Sequence, residues 1–490
     1  MNAASSLSVS ALGPRDTTSL IVLQLNEVNF DLVERYLGQH ALPGFRHLLA
    51  KFGRVETFAE TKYDELEPWI QWVSAHSGLR YGEHRIFRLG DAVNSQVPQI
   101  FEVMEQQGLI VGAISPMNAR NALRHPAYFI PDPWTVTSSD ESGYSRRFTS
   151  MLQQTVNENA QGRISKRSLL AIAEAVLRSF SPRGTAQLLK LIGQAKRRHW
   201  IKALVLDQLI HLVHLRLFRQ KRPNVSFVFL NAGAHIQHHY LFNSPHANTT
   251  ATNPAWYTPP DADPVLDMLQ VYDRILLDYL ALCSERGTQL IVATGLTQVA
   301  YDRVKLYYRL RHHAQFLALL DVVPQQVLPR MTRDFEALFD DESAAQRAAT
   351  VLRGVRMVRD GAPLFGEIEE RGASLFVTLS YPHEILPADT ASYAGGNLGH
   401  VLPHVTFVAV KNGMHSTKGF ALFSPGIPTS LPVEPVHVAA LFGLTLQAAG
   451  LAAVETVTAK NAAGDGHTPK AKQQFEPTAQ AQASYPEVDR

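Results

Sequence analysis

Four short apolar runs, each far too short for a buried helix, constrain this chain most. They are Leu20-Ile21-Val22-Leu23-Gln24-Leu25, Leu109 to Ile114, Asn224 to Leu230 and Gln289 to Ala293. Continuous apolar runs of this length are the mark of strands covered on both faces. Between them lie stretches of helical periodicity. Strands that alternate with helices predict an α/β chain with a mostly parallel central sheet flanked by helices. Two further strands are expected at Val405–Val410 and Gly419–Phe423, and a closing helix over 435–451.

At 490 residues the chain can hold one large α/β domain with insertions. The expected boundaries are a flexible lead over 1–18, the α/β domain over 19–452 and a disordered tail over 453–490, rich in Ala, Gln, Lys and Pro. Helical insertions are expected at about 121–222, where the charge turns basic, and 301–402. A net charge of +2 gives no global footprint for nucleic acid. The single cysteine, Cys283, excludes an internal disulfide and a thiolate metal cluster. No stretch reaches the ~20 apolar residues of a membrane span, and the N-terminus lacks the pattern of a secretory signal. The expected location is therefore cytoplasmic.

The polar residues that follow the strands form a series of stations. Asn26 and Glu27 end the first strand. Tyr63 to Ile86 carries Glu67-Pro68, Trp72, Ser74, Ser77-Gly78-Leu79 and His84-x-Ile86. The third strand runs into Asn231-Ala232-Gly233-Ala234-His235-Ile236-Gln237-His238-His239. The fourth runs into Thr294-Gly295-Leu296-Thr297-Gln298, and Gly413-Met414-His415 precedes the last strand. Three histidines within five residues stand out in a chain that has 20.

In order and strand context these stations resemble the alkaline-phosphatase superfamily, in particular its type I phosphodiesterases and nucleotide pyrophosphatases. The resemblance covers about half the chain, roughly 19–120, 223–300 and 403–452. It implies a sheet whose carboxyl edge holds metal ions, with His238 and His415 as ligands, His235 as a further candidate and Glu27 in place of an aspartate one residue earlier. Asn231 offers an alternative pairing with His235 in another register, and is otherwise a candidate substrate contact. The departures are as telling. No hydroxyl nucleophile stands at Glu67-Pro68, and Thr294-Gly295 replaces the family's Asp-His pair, so a two-metal site cannot be assembled.

One divalent ion, Zn²⁺ or Mn²⁺, is what two imidazoles and a carboxylate suit. Glu67 is the candidate catalytic group, as a further ligand, as a general base toward a metal-activated water, or as a nucleophile. Lys418 and Arg80 are candidate phosphate contacts. The resemblance then implies a divergent hydrolase of a phosphate ester, acting on a phosphorylated small molecule or glycan. Its alternatives are a catalytically inactive binding relative and a transferase of a phospho or sulfo group.

Overall fold

The computed structural model describes residues 19–157, 165–329 and 333–451. The segments expected as a flexible lead and a disordered tail lie outside the described residues.

Six strands build the first part of the sheet: β1 (Leu20–Leu25), β2 (Gly53–Phe58), β3 (Val111–Ile114), β4 (Tyr128–Ile130), β5 (Val225–Leu230) and β6 (Gln289–Ala293). The insertion after them supplies β7 (Thr297–Leu310), β8 (Gln326–Pro329), β9 (Asp334–Leu338), β10 (Arg356–Met357), β11 (Phe365–Arg371), β12 (Ser374–Leu379), β13 (Thr390–Tyr393), β14 (Gly396–His400) and β15 (Val405–Ser416). The chain then returns to the main sheet with β16 (Lys418–Phe423) and β17 (Val436–His437). The central sheet has the order β17-β2-β16-β6-β1-β5-β3-β4. Within it only β16 runs against its neighbours β2 and β6. The fold is α/β with a mostly parallel sheet, as the apolar runs require.

Every residue of β1 and β5 is buried. Successive side chains point to opposite faces, so each strand feeds two cores. Ile21, Leu23 and Leu25 join one layer with the helix Pro264–Arg286. Leu20 and Val22 join the other with Trp72, Phe227 and Phe442. The helix Pro264–Arg286 starts where Pro takes its first position and the Asp263 carboxylate accepts from the Leu266 amide at 2.9 Å. The helix Ala440–Ala448 closes the domain against the helix Pro68–Ser77.

Two features differ from the sequence expectation. Val405–Val410 is part of a strand, but β15 pairs antiparallel with β7 in a separate two-stranded ribbon rather than joining the main sheet. The 301–402 insertion has its two helices, His313–Ala318 and Glu342–Arg353, but most of it is β-structure with its own core around Phe335, Leu352 and Val377. The basic helices Lys166–Arg178 and Pro182–Gln194 pack on the outside of the long helix Ile201–Lys221.

Candidate metal centre

Parallel strands deliver their following residues to one edge of the sheet, the usual place for an α/β site. Here β1 delivers Asn26 and Glu27, β5 delivers Asn231 and the helix Ala232–Tyr240, and the ribbon strand β15 brings Lys411, Gly413 and His415 over the same edge. Strand alternation puts those last three on one face of β15.

Three side chains converge. His238 Nε2 lies 3.1 Å from Glu27 Oε2, His415 Nε2 lies 3.3 Å from that oxygen, and the two imidazole nitrogens are 3.2 Å apart. The triangle is nearly equilateral. Zinc–nitrogen and zinc–oxygen bonds of about 2.0–2.1 Å at tetrahedral angles put ligand atoms about 3.3 Å from one another. The donor set, one carboxylate and two imidazoles, therefore fits one face of a tetrahedral ion and leaves a further position open. Among the described residues this is the one such cluster of His, Cys, Asp or Glu.

Each donor is also held from behind. Glu27 Oε1 accepts from Asn26 Nδ2 at 3.2 Å, and Glu27 Oε2 accepts from the Gln298 amide. The His238 ring meets the Gly413 carbonyl at 3.1 Å and Lys411 Nζ at 2.5 Å, both through Nδ1. His415 Nδ1 faces Glu67 Oε2 at 3.6 Å. Such outer partners fix ring orientation and ligand basicity in metal sites.

The backbone supports this arrangement. Glu27 adopts φ 61°, a left-handed conformation that a non-glycine residue takes only when its surroundings impose it. Its amide donates to the Thr294 carbonyl at 3.0 Å, and its carbonyl accepts from Gln237 Nε2 at 2.8 Å. The helix Ala232–Tyr240 is fixed at its start by Asp207, which accepts from the Ala232 amide at 2.8 Å and from the Tyr272 hydroxyl at 2.7 Å. Gly233 is needed there, because a Cβ would stand 2.7 Å from Val28 Cγ2.

Charge is tightly coupled across the cluster. Burial works to raise the Glu27 carboxyl, yet the His238 and His415 rings hold it well below the usual range. Burial opposes a charged His415, but Glu27 and then Glu67 raise it above its ordinary value. His238 is lowered to about 4 by burial and by Lys411. Burial raises Glu67 and pulls Lys411 down to about 8, the latter against the attraction of Glu27 and Glu67.

The other expected residues are distributed as follows. His235 stands on the same helix with its ring 4.8 Å from His239, outside the triangle. Burial lowers it to about 4. Asn231 accepts from Asn26 Nδ2 at 2.8 Å and so supports the Glu27 side of the site. Lys418 Nζ is taken up by Asp31 at 2.8 Å and Glu56 at 3.0 Å. Arg80 is exposed, at the start of the short helix Tyr81–His84. At the fourth station Thr294 is buried and its hydroxyl accepts from the Phe420 amide at 3.0 Å.

Sequence reading missed Lys411 and Gln298. Lys411 sits two and four residues before Gly413 and His415, so the period of two along a strand was the signal. Nothing local marks Gln298, which reaches Glu27 only through the crossing of two strand ends.

The fold and site together define an α/β protein with a cluster of three potential metal donors, Glu27, His238 and His415, at the carboxyl edge of its sheet. No protein-family model and no curated protein sequence matches the chain. Among solved structures it is similar to murine ectonucleotide pyrophosphatase/phosphodiesterase 5, at 9% identity over 89% of this chain and 96% of that one, with a TM-score of 0.40. It is similar to phosphonoacetate hydrolase from Sinorhizobium meliloti 1021 at 13% identity, over 88% and 96% of the two chains, with a TM-score of 0.37. A mutant TAB5 alkaline phosphatase with magnesium bound gives 9% identity over 89% and 99%, with a TM-score of 0.38. All are structures of the alkaline-phosphatase superfamily, which the motif stations resemble. Similarity at this level assigns no residue roles to this chain.

Proposed function

We propose that this chain is a hydrolase of phosphate esters that works with one divalent ion, Zn²⁺ or Mn²⁺, held by Glu27, His238 and His415. The observation that carries the proposal is the triangle of donor atoms with sides of 3.1, 3.2 and 3.3 Å at the sheet edge. The phosphate ester is drawn from the motif resemblance, and its class is a phosphorylated small molecule or glycan. Bound there, such an ion supplies Lewis-acid polarisation of a phosphoryl oxygen and activation of water.

The chain's own residues supply the rest. Glu67, its Oε2 3.6 Å from His415 Nδ1, sets a negative charge behind that ring. Lys411, half-buried beside His238, brings positive charge to the edge of the centre, where it favours the charge that develops on phosphoryl oxygens. Facing Lys411 across the ribbon is Lys305, whose Nζ sits 3.9 Å over the Tyr301 ring. Glu67 and Pro68 begin the helix Pro68–Ser77 and offer no hydroxyl, so a seryl or threonyl phospho-enzyme has no residue to form on. That same gap favours the second reading, a binding relative that keeps the donor cluster without turnover.

Metal analysis of purified protein tests the proposal, beside His238→Ala and His415→Ala variants and with mono- and diester phosphates as substrates. One equivalent of Zn²⁺ or Mn²⁺, lost in both variants together with turnover, is the expected result. Metal without turnover on any ester selects the binding reading. No metal in the wild type, even after Zn²⁺ or Mn²⁺ is supplied, overturns the centre itself.

A further inference from the structure

The helices Lys166–Arg178 and Pro182–Gln194 carry large apolar residues on their outer faces as well as on their inner ones. A surface helix normally turns its large apolar residues inward. Here Leu188 and Leu191 do point inward, beside the small Ala171, Ala175 and Gly184, which let the pair lie close on the helix Ile201–Lys221. At Gly184 a Cβ would stand 2.4 Å from Leu212 Cδ2. Six further large residues point out: Leu169, Leu170, Leu177, Phe180, Leu189 and Ile192 are each between 42% and 76% exposed. Six of the 19 large apolar residues exposed among the described residues thus fall within 24 positions. A cluster of this kind marks an interaction surface.

The charge around it has one sign. Residues 165–200 contain eight Lys and Arg (166, 167, 178, 183, 190, 196, 197 and 198) against one acidic residue, Glu174. Glu174 is itself bridged to Arg147 at 2.7 Å and Arg178 at 2.8 Å. Along the exposed faces, Lys166, Arg167, Arg183 and Lys190 flank the leucines.

We infer that this helical pair is a docking surface for an anionic lipid membrane, lying in the plane of its interface. Leucine and phenylalanine on a helix face bordered by Lys and Arg are the ingredients of interfacial binding. Both helices have 13 residues, and no helix among the described residues is long and apolar enough to cross a bilayer. A second copy of the chain would bring a second strongly positive face against the first. A nucleic acid would pair with the cations but leave the exposed leucines without a partner. The segment 453–490 carries four Lys and Arg against five Asp and Glu, too little negative charge to complement the surface. An anionic bilayer satisfies the charge and the apolar side chains together.

Co-sedimentation of the full chain with vesicles tests this, using phosphatidylcholine alone and phosphatidylcholine mixed with phosphatidylglycerol. The wild type is expected to sediment with the mixed vesicles at low salt, to be released by high salt, and to ignore the neutral ones. Two double variants separate the two contributions: Leu170→Ser with Leu177→Ser, and Arg183→Glu with Lys190→Glu. All four positions are exposed, so unchanged melting and circular dichroism are expected to show intact folds. Each pair is expected to weaken partitioning about tenfold or more, since each cation near an anionic surface and each buried leucine contributes a comparable share. Failure of the wild type to sediment with anionic vesicles at low salt overturns the inference. So does unchanged binding in either folded variant. A dimer in solution that the Leu→Ser pair dissolves, with no vesicle binding, overturns it in favour of a second copy.

Discussion

Gly413→Ala is the sharpest test of how the centre is built. A Cβ at this position would stand 2.0 Å from Gln298 Oε1 and 2.8 Å from the Gln237 carbonyl oxygen. The second is backbone inside the helix Ala232–Tyr240 and cannot swing away, while the first belongs to a side chain already committed. If Gln298 yields, its amide loses the Glu27 carboxylate and the Ala234 carbonyl, the latter now at 3.0 Å. A hydrogen bond to a charged acceptor is worth about 1.5–3 kcal/mol and a neutral one about 1 kcal/mol. Residual overpacking against the Gln237 carbonyl adds about 1 kcal/mol or more. The expected destabilisation is therefore about 3–5 kcal/mol, read as a lower midpoint in urea unfolding at unchanged slope. The metal affinity is expected to fall with it, because the Gly413 carbonyl faces His238 Nδ1. Gly443→Ala is the control: it lies inside the helix Ala440–Ala448 with nothing within 4 Å of a new Cβ. Helix propensity alone should make it stabilising by up to about 1 kcal/mol. A Gly413→Ala protein that unfolds within about 1 kcal/mol of wild type would refute the reasoning, since relief at that cost would need room the ribbon does not have.

Three further outcomes are expected. Glu67→Gln should keep one metal per chain but weaken it about 10–100-fold in competition with a chromophoric chelator, the usual effect of removing a carboxylate behind a ligating histidine; complete loss of the ion would instead make Glu67 a ligand. Trp72→Phe should cost about 1–3 kcal/mol in thermal or urea unfolding, because the indole N–H donates to Asn26 Oδ1 at 2.8 Å in a buried setting and the acceptor would be stranded. No measurable loss would show that Asn26 finds another donor. Asp207 is raised from 3.8 to about 6 by burial, so the folded state holds its proton more tightly than the unfolded one. Its share of stability is full below the unfolded value and falls as the pH rises through about 6, by roughly 3 kcal/mol. Asp207→Asn should lack that pH dependence, so its stability difference from wild type should itself change by roughly 3 kcal/mol between about pH 4 and pH 7, whatever the constant cost of the substitution; a difference that stays constant over that range would rule out Asp207 as the source.

What the sequence made legible follows from what is local. The strands β1, β3, β5 and β6 declare themselves because both faces of each are buried, so apolar residues run without a break. The strand β2, Gly53-Arg54-Val55-Glu56-Thr57-Phe58, stayed hidden because only Val55 and Thr57 are fully covered, and its Arg54 and Glu56 read as polar loop. His238 and His415 were visible from their places after apolar strands. The ribbon partner of β15 was not, because pairing between Val405–Ser416 and Thr297–Leu310 spans a long insertion and leaves no local trace. For the same reason the commitment of Lys418 to Asp31 and Glu56 could not be foreseen.

The displaced carboxylate shows how a lost motif residue can be recovered by geometry. Asn26 occupies the position at the end of β1 where the resemblance leads one to expect an aspartate. In the fold it serves as a hub, accepting from Trp72 and donating to Asn231 and Glu27. The negative charge has moved one residue on. In an extended strand that step would turn the side chain to the opposite face. The left-handed turn at Glu27 cancels it, and the extra methylene of glutamate lengthens the reach. Two imidazoles then hold the carboxyl ionised in a place where burial alone would protonate it. Strain at one backbone position, two hydrogen bonds to hold it and one longer side chain thus return a carboxylate to the cluster, where a residue-by-residue match would count it as lost. If that reasoning is right, Glu27→Asp should lose most of the metal affinity although it keeps the charge, and Asn26→Asp with Glu27→Gly should not restore it, because Trp72 and Asn231 hold position 26 away from the ion. Full affinity in Glu27→Asp, measured by the same chelator competition, would show that charge alone, and not reach, defines the site.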